Sequence, residues 1–281
     1  MSQDALNLSP AHSSLFLAGM AAHPDASEKA ESRNWFEEWF NHPLYLQVYS
    51  HRNDDEAAQC VQTILALTEL NQKNPASHSV LDIACGAGRH ALEFSRLGYN
   101  VTANDLSPFL LDKAKEAAQN QTLPLRLSCC DMRHIPTSGE YHLVVQLFTS
   151  FGYFECHKDD QLVLTNAYHA LQPDGWYVLD LINPVHLRHT LVAHSRRTAG
   201  ELTVVEDRAI KNGRITKTIQ IIPTRGEPCS FSESVRLYSE REIRAMLHQA
   251  GFAIEKITGN YQGELFEEAA SPRMMLFCRK A

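Results

Sequence analysis

The chain has 281 residues, 44% of them hydrophobic and 21% charged, with 26 basic against 33 acidic side chains and a net charge of −7. That composition suits a globular protein with a sizeable core, and a net negative surface offers no general attraction to phosphate backbones, which sets nucleic acid aside as a partner. Seven cysteines without a C-x-x-C pair do not read as a disulfide framework, no apolar run reaches the ~20 residues of a membrane span, and the apolar stretch 15–22 lacks the basic flank of a signal peptide, so a cytoplasmic, membrane-free protein is expected.

In chain order, residues 1–33 are rich in Ser, Ala, Asn, Asp and Glu without a sustained period and read as a mobile tail. Residues 34–78 read as a helical cap. Trp35, Phe36, Trp39 and Phe40 cover one helix face that must dock on something, and 54–70 form an amphipathic helix with Ala57, Cys60, Val61, Ile64, Leu65 and Leu67 on or near its buried side. A polar break at 71–77 follows. From residue 79 strands alternate with helices: strand 79–84, helix 89–97 stopped by Gly98, strand 100–104, and helix 108–119 with Ser107 as its cap and Pro108 in its first turn. Strands at 125–129 and 141–147, a helix at 159–171, the turn Pro173-Asp174-Gly175 and a strand at 176–181 complete the run. Such alternation predicts an α/β, doubly wound, mostly parallel sheet covered on both faces.

After Pro184 the rhythm breaks. Two β-prone runs, 201–210 and 214–222, flank Asn212-Gly213, a strong hairpin signal, and 230–238 supplies a third strand. This small antiparallel insertion at about 201–238 is expected to cap an acceptor pocket or to mediate self-association, although its charges, such as Glu206, Asp207 and Arg208, also fit a solvated face. Ser239-Glu240-Arg241-Glu242 is a capping box opening a helix that ends at Gly251, and β-prone runs at 252–258 and 273–279 close the chain.

The chemistry concentrates in Val80-Leu81-Asp82-Ile83-Ala84-Cys85-Gly86-Ala87-Gly88-Arg89, a strand, a glycine turn and a helix start. Glycines admit a ligand close to the backbone, and the helix start offers free N–H groups. The glycines alone also fit the dinucleotide fingerprint, and Asp105 at the end of the second strand suits a ribose diol in either case. Three features separate the alternatives. Asp82, inside the strand, can meet a cationic amino group, whereas a pyrophosphate gains nothing from another anion. Asp131, after the third strand, can accept from an adenine amino group. The chain also lacks a second mononucleotide-type half and ends in a hairpin.

On these residues the sequence resembles the class I S-adenosylmethionine-dependent methyltransferases of small molecules, from about residue 79 to the C-terminus and in the helix before. The resemblance implies a Rossmann-like methyltransferase fold with an antiparallel last strand over 79–281. It implies S-adenosyl-L-methionine as cofactor, with Asp82, Ala84, Gly86 and Gly88 along its methionine moiety. Asp105 would take the ribose, Leu106 and Ser107 would lie beside the adenine, and Asp131 and Met132 would face the ring. Gln146, Leu147 and Phe148 would lie near the methyl group. From the N-terminal segment, Tyr49 and Arg52 would reach the cofactor, Arg52 its carboxylate.

For the acceptor side, the aromatic run after the fourth strand singles out Tyr153, and among the histidines following strand five His186 is the candidate base. His186, His189 and His194 do not follow a metal-binding pattern, and no metal is expected. The Asn/Asp-Pro-Pro-Tyr/Phe signature of DNA amino-methylating enzymes is absent from strand four. The function expected is methyl transfer to an N, O or C nucleophile of a small molecule by a monomer or homodimer. The alternatives are an NAD(P)-dependent oxidoreductase and a cofactor-binding protein without activity.

Overall fold

The structure, a computed structural model, describes residues 34–50 and 54–280. The tail expected at 1–33 and Arg52 lie outside the described residues. The first four parallel strands form as read, each within a residue or so: β1 Ser79–Ile83, β2 Asn100–Asp105, β3 Arg126–Cys129 and β4 Tyr141–Gln146; the fifth, β5 Leu171–Ile182, starts five residues earlier than expected. Two C-terminal strands, β10 Phe252–Thr258 and β11 Arg273–Lys280, pair antiparallel, and β11 runs antiparallel to β5. The seven-stranded order is β10-β11-β5-β4-β1-β2-β3, so strand order reverses at β1, which has β2 on one side and β4 on the other.

Side-chain alternation divides the core cleanly. Leu81, Val144, Tyr177, Leu179 and Leu276 enter one apolar cluster, and Val80, Leu143, Val145, Val178 and Phe277 enter the other. Helices α6 (His157–Ala170) and α8 (Glu240–Ala250) contribute Val163, Leu164, Ile243 and Leu247 to the first cluster; α3 (Asp54–Leu67) and α4 (Arg89–Arg96) contribute Ile64, Ala91 and Phe94 to the second. The period-two pattern of each strand is therefore read by helices on two faces. Ser107 caps α5 (Pro108–Asn120) by accepting from the Leu110 N–H at 3.1 Å, and the Ser239–Glu242 capping box is present in both directions.

Three expectations need correction. The helix at 54–70 stops at Leu67, because Glu69 turns to a φ of 58° and a 3-10 turn follows at Leu70–Gln72. Pro173-Asp174-Gly175 does not precede the fifth strand; it bulges within β5, where Tyr141 pairs with Leu171 but Leu143 pairs with Trp176. Finally, the insertion begins at residue 194 rather than at about 201, and a helix precedes it. Helix α7 (Pro184–Thr190) begins at Asn183, whose side chain accepts from Val185 N–H, with proline in the first turn. Strand β6 (His194–Ala199) adds an edge to the insertion.

The insertion is thus a four-stranded antiparallel sheet, β6-β7-β8-β9, with β7 Leu202–Lys211, β8 Arg214–Pro223 and β9 Cys229–Arg236. Asn212 and Gly213 both take positive φ, 51° and 72°, as a type I′ hairpin turn requires. The short helices α1 (Trp35–Trp39) and α2 (Leu44–Val48) dock on its inner face, where Trp39 is fully buried and stacks on Phe231 with ring centroids 4.4 Å apart. Arg214 donates to the carbonyls of Gly152, Tyr153 and Phe154, tying the sheet to the loop after β4. Gly152 has to be glycine there. Its φ is +86°, and a Cβ would sit 2.9 Å from the Arg236 carbonyl.

Candidate active site

The C-terminal ends of β1, β2, β3 and β4 open into a cavity of about 810 Å³ at the point where strand order reverses. Open α/β sheets place ligands at that crevice. The glycine turn forms one wall. Ala84 and Gly86 take positive φ, 55° and 59°, and the space where a Gly86 side chain would stand is empty to 4 Å. Asp105 holds the turn in place: one carboxylate oxygen accepts the Gly86 N–H and the other the Ser107 N–H, each at 2.8 Å. A carboxylate offers about four acceptor sites, so two backbone donors leave room for a diol. Burial raises the Asp105 pKa, and those backbone N–H groups work against the rise.

Asp82 is the most perturbed acid of the site. It is 1% exposed, one of its oxygens is buried without a hydrogen-bond partner, and burial followed by repulsion from Asp105 pushes its pKa up to about 8. An orphaned carboxylate oxygen facing a cavity is costly unless a donor arrives. A ligand ammonium supplies both the donor and the charge. The unfilled space at Gly86, the diol capacity of Asp105 and the orphaned oxygen of Asp82 all fit the cofactor expected from the sequence.

Beyond β4 the backbone turns sharply: Phe148 and Thr149 both take positive φ, 59° and 64°. Non-glycine residues hold this region only when the surroundings compel them. Here Asp180, fully buried in β5, accepts the Phe148 N–H at 2.8 Å, while its carbonyl accepts the Thr149 N–H. Asp180 also takes the Tyr261 hydroxyl and the Arg273 guanidinium, which in turn donates to the Thr149 hydroxyl. Burial opposes the Arg273 charge, but Asp180 and Tyr261 hold its pKa above the ordinary value. The role of Asp180 is to fix the cavity edge through this network.

Of the residues expected from the sequence, Tyr49, Asp82, Ala84, Gly86, Asp105, Leu106, Ser107, Asp131, Met132, Leu147, Phe148 and Tyr153 line the cavity. Gly88 does not; it caps α4 behind the turn. Gln146 does not either: its amide donates to the Ser150 carbonyl and to the Met132 sulfur and accepts the Tyr177 hydroxyl, so it braces the loop from beneath. His186 lies on α7, where Leu187 lines the cavity and His186 does not; Leu191, just past the helix, lines it as well. Asp131 lines the cavity, but Arg133 grips both its oxygens. Burial raises and the Arg133 contacts lower its pKa, and the net result is below the usual range. Tyr153 is held protonated by burial, with Tyr45 and Glu233 adding to the rise in its pKa.

Sequence reasoning missed the opposite wall. Trp35, Phe36, Phe40 and Tyr45 line it from the N-terminal segment, and Arg208, Lys217 and Glu233 from the small sheet. Asn41 bridges the two sides, accepting from the Ser107 hydroxyl and the Phe109 N–H. The available signal was alternation. Glu206 is buried, Asp207 exposed and Arg208 directed to the cavity, so the charges read as a solvated face belong to both faces of one strand. Among the described residues no cluster of His, Cys, Asp and Glu could hold a metal, and no helix is long and apolar enough to cross a membrane.

A glycine turn and two buried carboxylates, Asp82 and Asp105, are gathered at the switch point of a sheet with an antiparallel last strand, an arrangement that fits a nucleoside-cofactor domain of the methyltransferase type. Residues 80–175 match a family described as a methyltransferase domain. The chain is 33% identical over 110 residues to a glycine/sarcosine N-methyltransferase of Parasynechococcus marenigrum (strain WH8102), matching 38% of this chain and 39% of that one. A dTDP-3-amino-3,4,6-trideoxy-alpha-D-glucopyranose N,N-dimethyltransferase of Streptomyces venezuelae is 23% identical over 236 residues, 82% of this chain and 93% of that one. The fold is shared with a solved S-adenosylmethionine-dependent methyltransferase from Clostridium acetobutylicum ATCC 824, with a TM-score of 0.71 at 17% identity over 85% of this chain and 97% of that one. Residues 80–175 thus carry a methyltransferase domain, and the fold around them is that of S-adenosylmethionine-dependent methyltransferases. The nicotinamide alternative falls, because the matching domain and fold are those of methyltransferases and the described sheet has no second mononucleotide half.

Proposed function

We propose that this enzyme transfers a methyl group to the amino nitrogen of a small molecule enclosed beneath the small sheet. One observation carries the reading: the chamber that begins at Asp82, Gly86 and Asp105 ends against aromatic rings and the inner face of that sheet. At about 810 Å³ it lies in the upper part of the ~300–1,000 Å³ range of ligand pockets, which suits a cofactor with a small acceptor. The glycine/sarcosine and amino-sugar relatives, which are named as N-methyltransferases, support nitrogen as the acceptor atom. We place the protein in a reducing cytoplasm, in keeping with its seven free cysteines.

The bound cofactor supplies a methyl group already activated on a sulfonium. What remains for the chain is alignment and exclusion of water, and alignment alone can contribute roughly 7–11 kcal/mol. Asp82 holds the ammonium, Asp105 the ribose hydroxyls, and Leu106, Ser107 and Met132 flank the adenine. Phe148, pinned by Asp180, fixes the edge nearest the reacting centre. The Tyr153 phenol, kept protonated, can orient an acceptor by hydrogen bonding but cannot take its proton, so the amine must arrive neutral or lose its proton to water.

The test is calorimetry with S-adenosylhomocysteine, followed by transfer of labelled methyl to a panel of small amines, phenols and carboxylic acids. Binding together with labelled amines is the expected result. Binding of NADH instead, or transfer confined to oxygen nucleophiles, would refute it.

A further inference from the structure

On β7, β8 and β9 the inner face of the small sheet is mostly apolar, with its charges in two adjacent rows, one of Arg208, Lys217 and Glu233 and the other of Glu206, Ile219 and Phe231. Ile210, Ile215 and Val235 lie across one row, and Val204, Ile221 and Cys229 across another. Between them Arg208 stands directly opposite Lys217, and Lys217 directly opposite Glu233, so three charged side chains cross three strands and reach the cavity together. Charged residues are rarely buried on a sheet face unless they are paired or have a task.

Pairing accounts for part of the row. Glu233 accepts from Lys217 at 2.7 Å, from Trp39 at 2.9 Å and from the Tyr49 hydroxyl at 2.5 Å, which staples the N-terminal segment to the sheet. Glu206 sits in the adjacent row of the same face, almost fully buried, and accepts from Arg208, with Arg197 4.0 Å and Lys217 3.9 Å away. Three cations thus face two carboxylates. Lys217 and Arg208 reach the cavity, whereas Glu206 does not line it. A staple needs a single ion pair; this arrangement leaves one positive charge in excess in a partly dehydrated wall, where it is costly until an anion joins it.

We propose that Arg208 and Lys217 form the acceptor-recognition subsite for an anionic group, carboxylate or phosphate, carried by the amine that is methylated. The proposal rests on the amine-methylation reading above. The anion would dock on the small sheet, opposite the acid-rich wall of Asp82 and Asp105, and so turn the amino end of the acceptor toward the cofactor. Charge thereby orients the acceptor, which accounts for a positive row at one end of the chamber and carboxylates at the other.

The full chain is tested with two matched pairs, glycine against glycinamide and glucosamine 6-phosphate against glucosamine, scored by kcat/KM for labelled methyl transfer. S-adenosylhomocysteine affinity is measured in parallel. In at least one pair the anionic member is expected to exceed the neutral one by about tenfold or more, the scale of a charge-assisted hydrogen bond. The pair that responds identifies carboxylate or phosphate as the source. Arg208→Gln and Lys217→Met should bring the pair near parity with cofactor affinity unchanged, and Arg208→Lys should restore most of the preference. Parity in the unmodified enzyme, absence of transfer to both anionic probes while the cofactor analogue binds, or a preference that survives both substitutions overturns the proposal. Failure to bind the analogue at all is a different result, because it takes down the methyltransferase reading as well.

Discussion

Asp82 offers the sharpest quantitative test, because its environment makes cofactor binding a proton-releasing event. With its pKa pushed up to about 8 by burial and by Asp105, the carboxyl of the free protein is roughly 90% protonated at pH 7. Ionising it there costs about 1.4 kcal/mol, one pKa unit's worth. A ligand ammonium against the orphaned oxygen reverses the balance and drives the pKa well below neutrality. Binding of S-adenosylhomocysteine at pH 7 should therefore release most of a proton, and the release should fall away as pH rises through about 8. Calorimetry in phosphate and in Tris, whose ionisation enthalpies differ widely, reads this release directly from the difference in apparent enthalpy. Asp82→Asn should bind more weakly and release no proton from this site. The reasoning is refuted if the unmodified protein shows no buffer dependence at pH 7, or if the variant shows the same release.

Three further predictions follow from the same geometry. Because the folded-state pKa of Asp82 is raised, its contribution favours folding below the unfolded value near 4 and is lost as pH rises through about 8; Asp82→Asn should thus stabilise the unliganded protein by a few kcal/mol at pH 8 and hardly at pH 4, as read by urea unfolding. Asp105→Ala strips the acceptor from two backbone N–H groups and from the ribose site, and should weaken S-adenosylhomocysteine by about 100-fold, or ~3 kcal/mol, in a calorimetric titration. Asp180→Asn leaves Arg273 buried without its counter-ion and releases the strained Phe148–Thr149 turn, so denaturant unfolding should show a loss of about 3–5 kcal/mol, accompanied by lower kcat.

Much of the cofactor half was legible in the chain itself. Asp82, Gly86 and Asp105 sit at fixed offsets from strand ends, and a parallel strand with a tight turn places such residues at its C-terminal edge whatever the rest of the molecule does. The alternation of strands and helices, Ser107 as a cap and Asn212-Gly213 as a hairpin turn are likewise local codes, each resolved within a few residues by backbone hydrogen bonding. The acid beside the glycine turn could be seen; that one of its oxygens is left unpartnered could not, because that depends on what the surrounding elements do not bring to it.

The acceptor half was decided by tertiary structure. Gln146 and Phe148 are two residues apart, yet one braces the loop and the other lines the cavity, because Asp180, 32 residues beyond Phe148, captures its N–H and turns the backbone. His186 looked placed for chemistry, but it is Leu187 of α7 that lines the cavity. Arg208, Lys217 and Glu233 are 25 residues apart end to end and become neighbours only through β-sheet register. Sequence determines where a strand ends and what its tip can bind; which side chains meet across a chamber is set by pairing and packing between distant segments, and no local pattern encodes that.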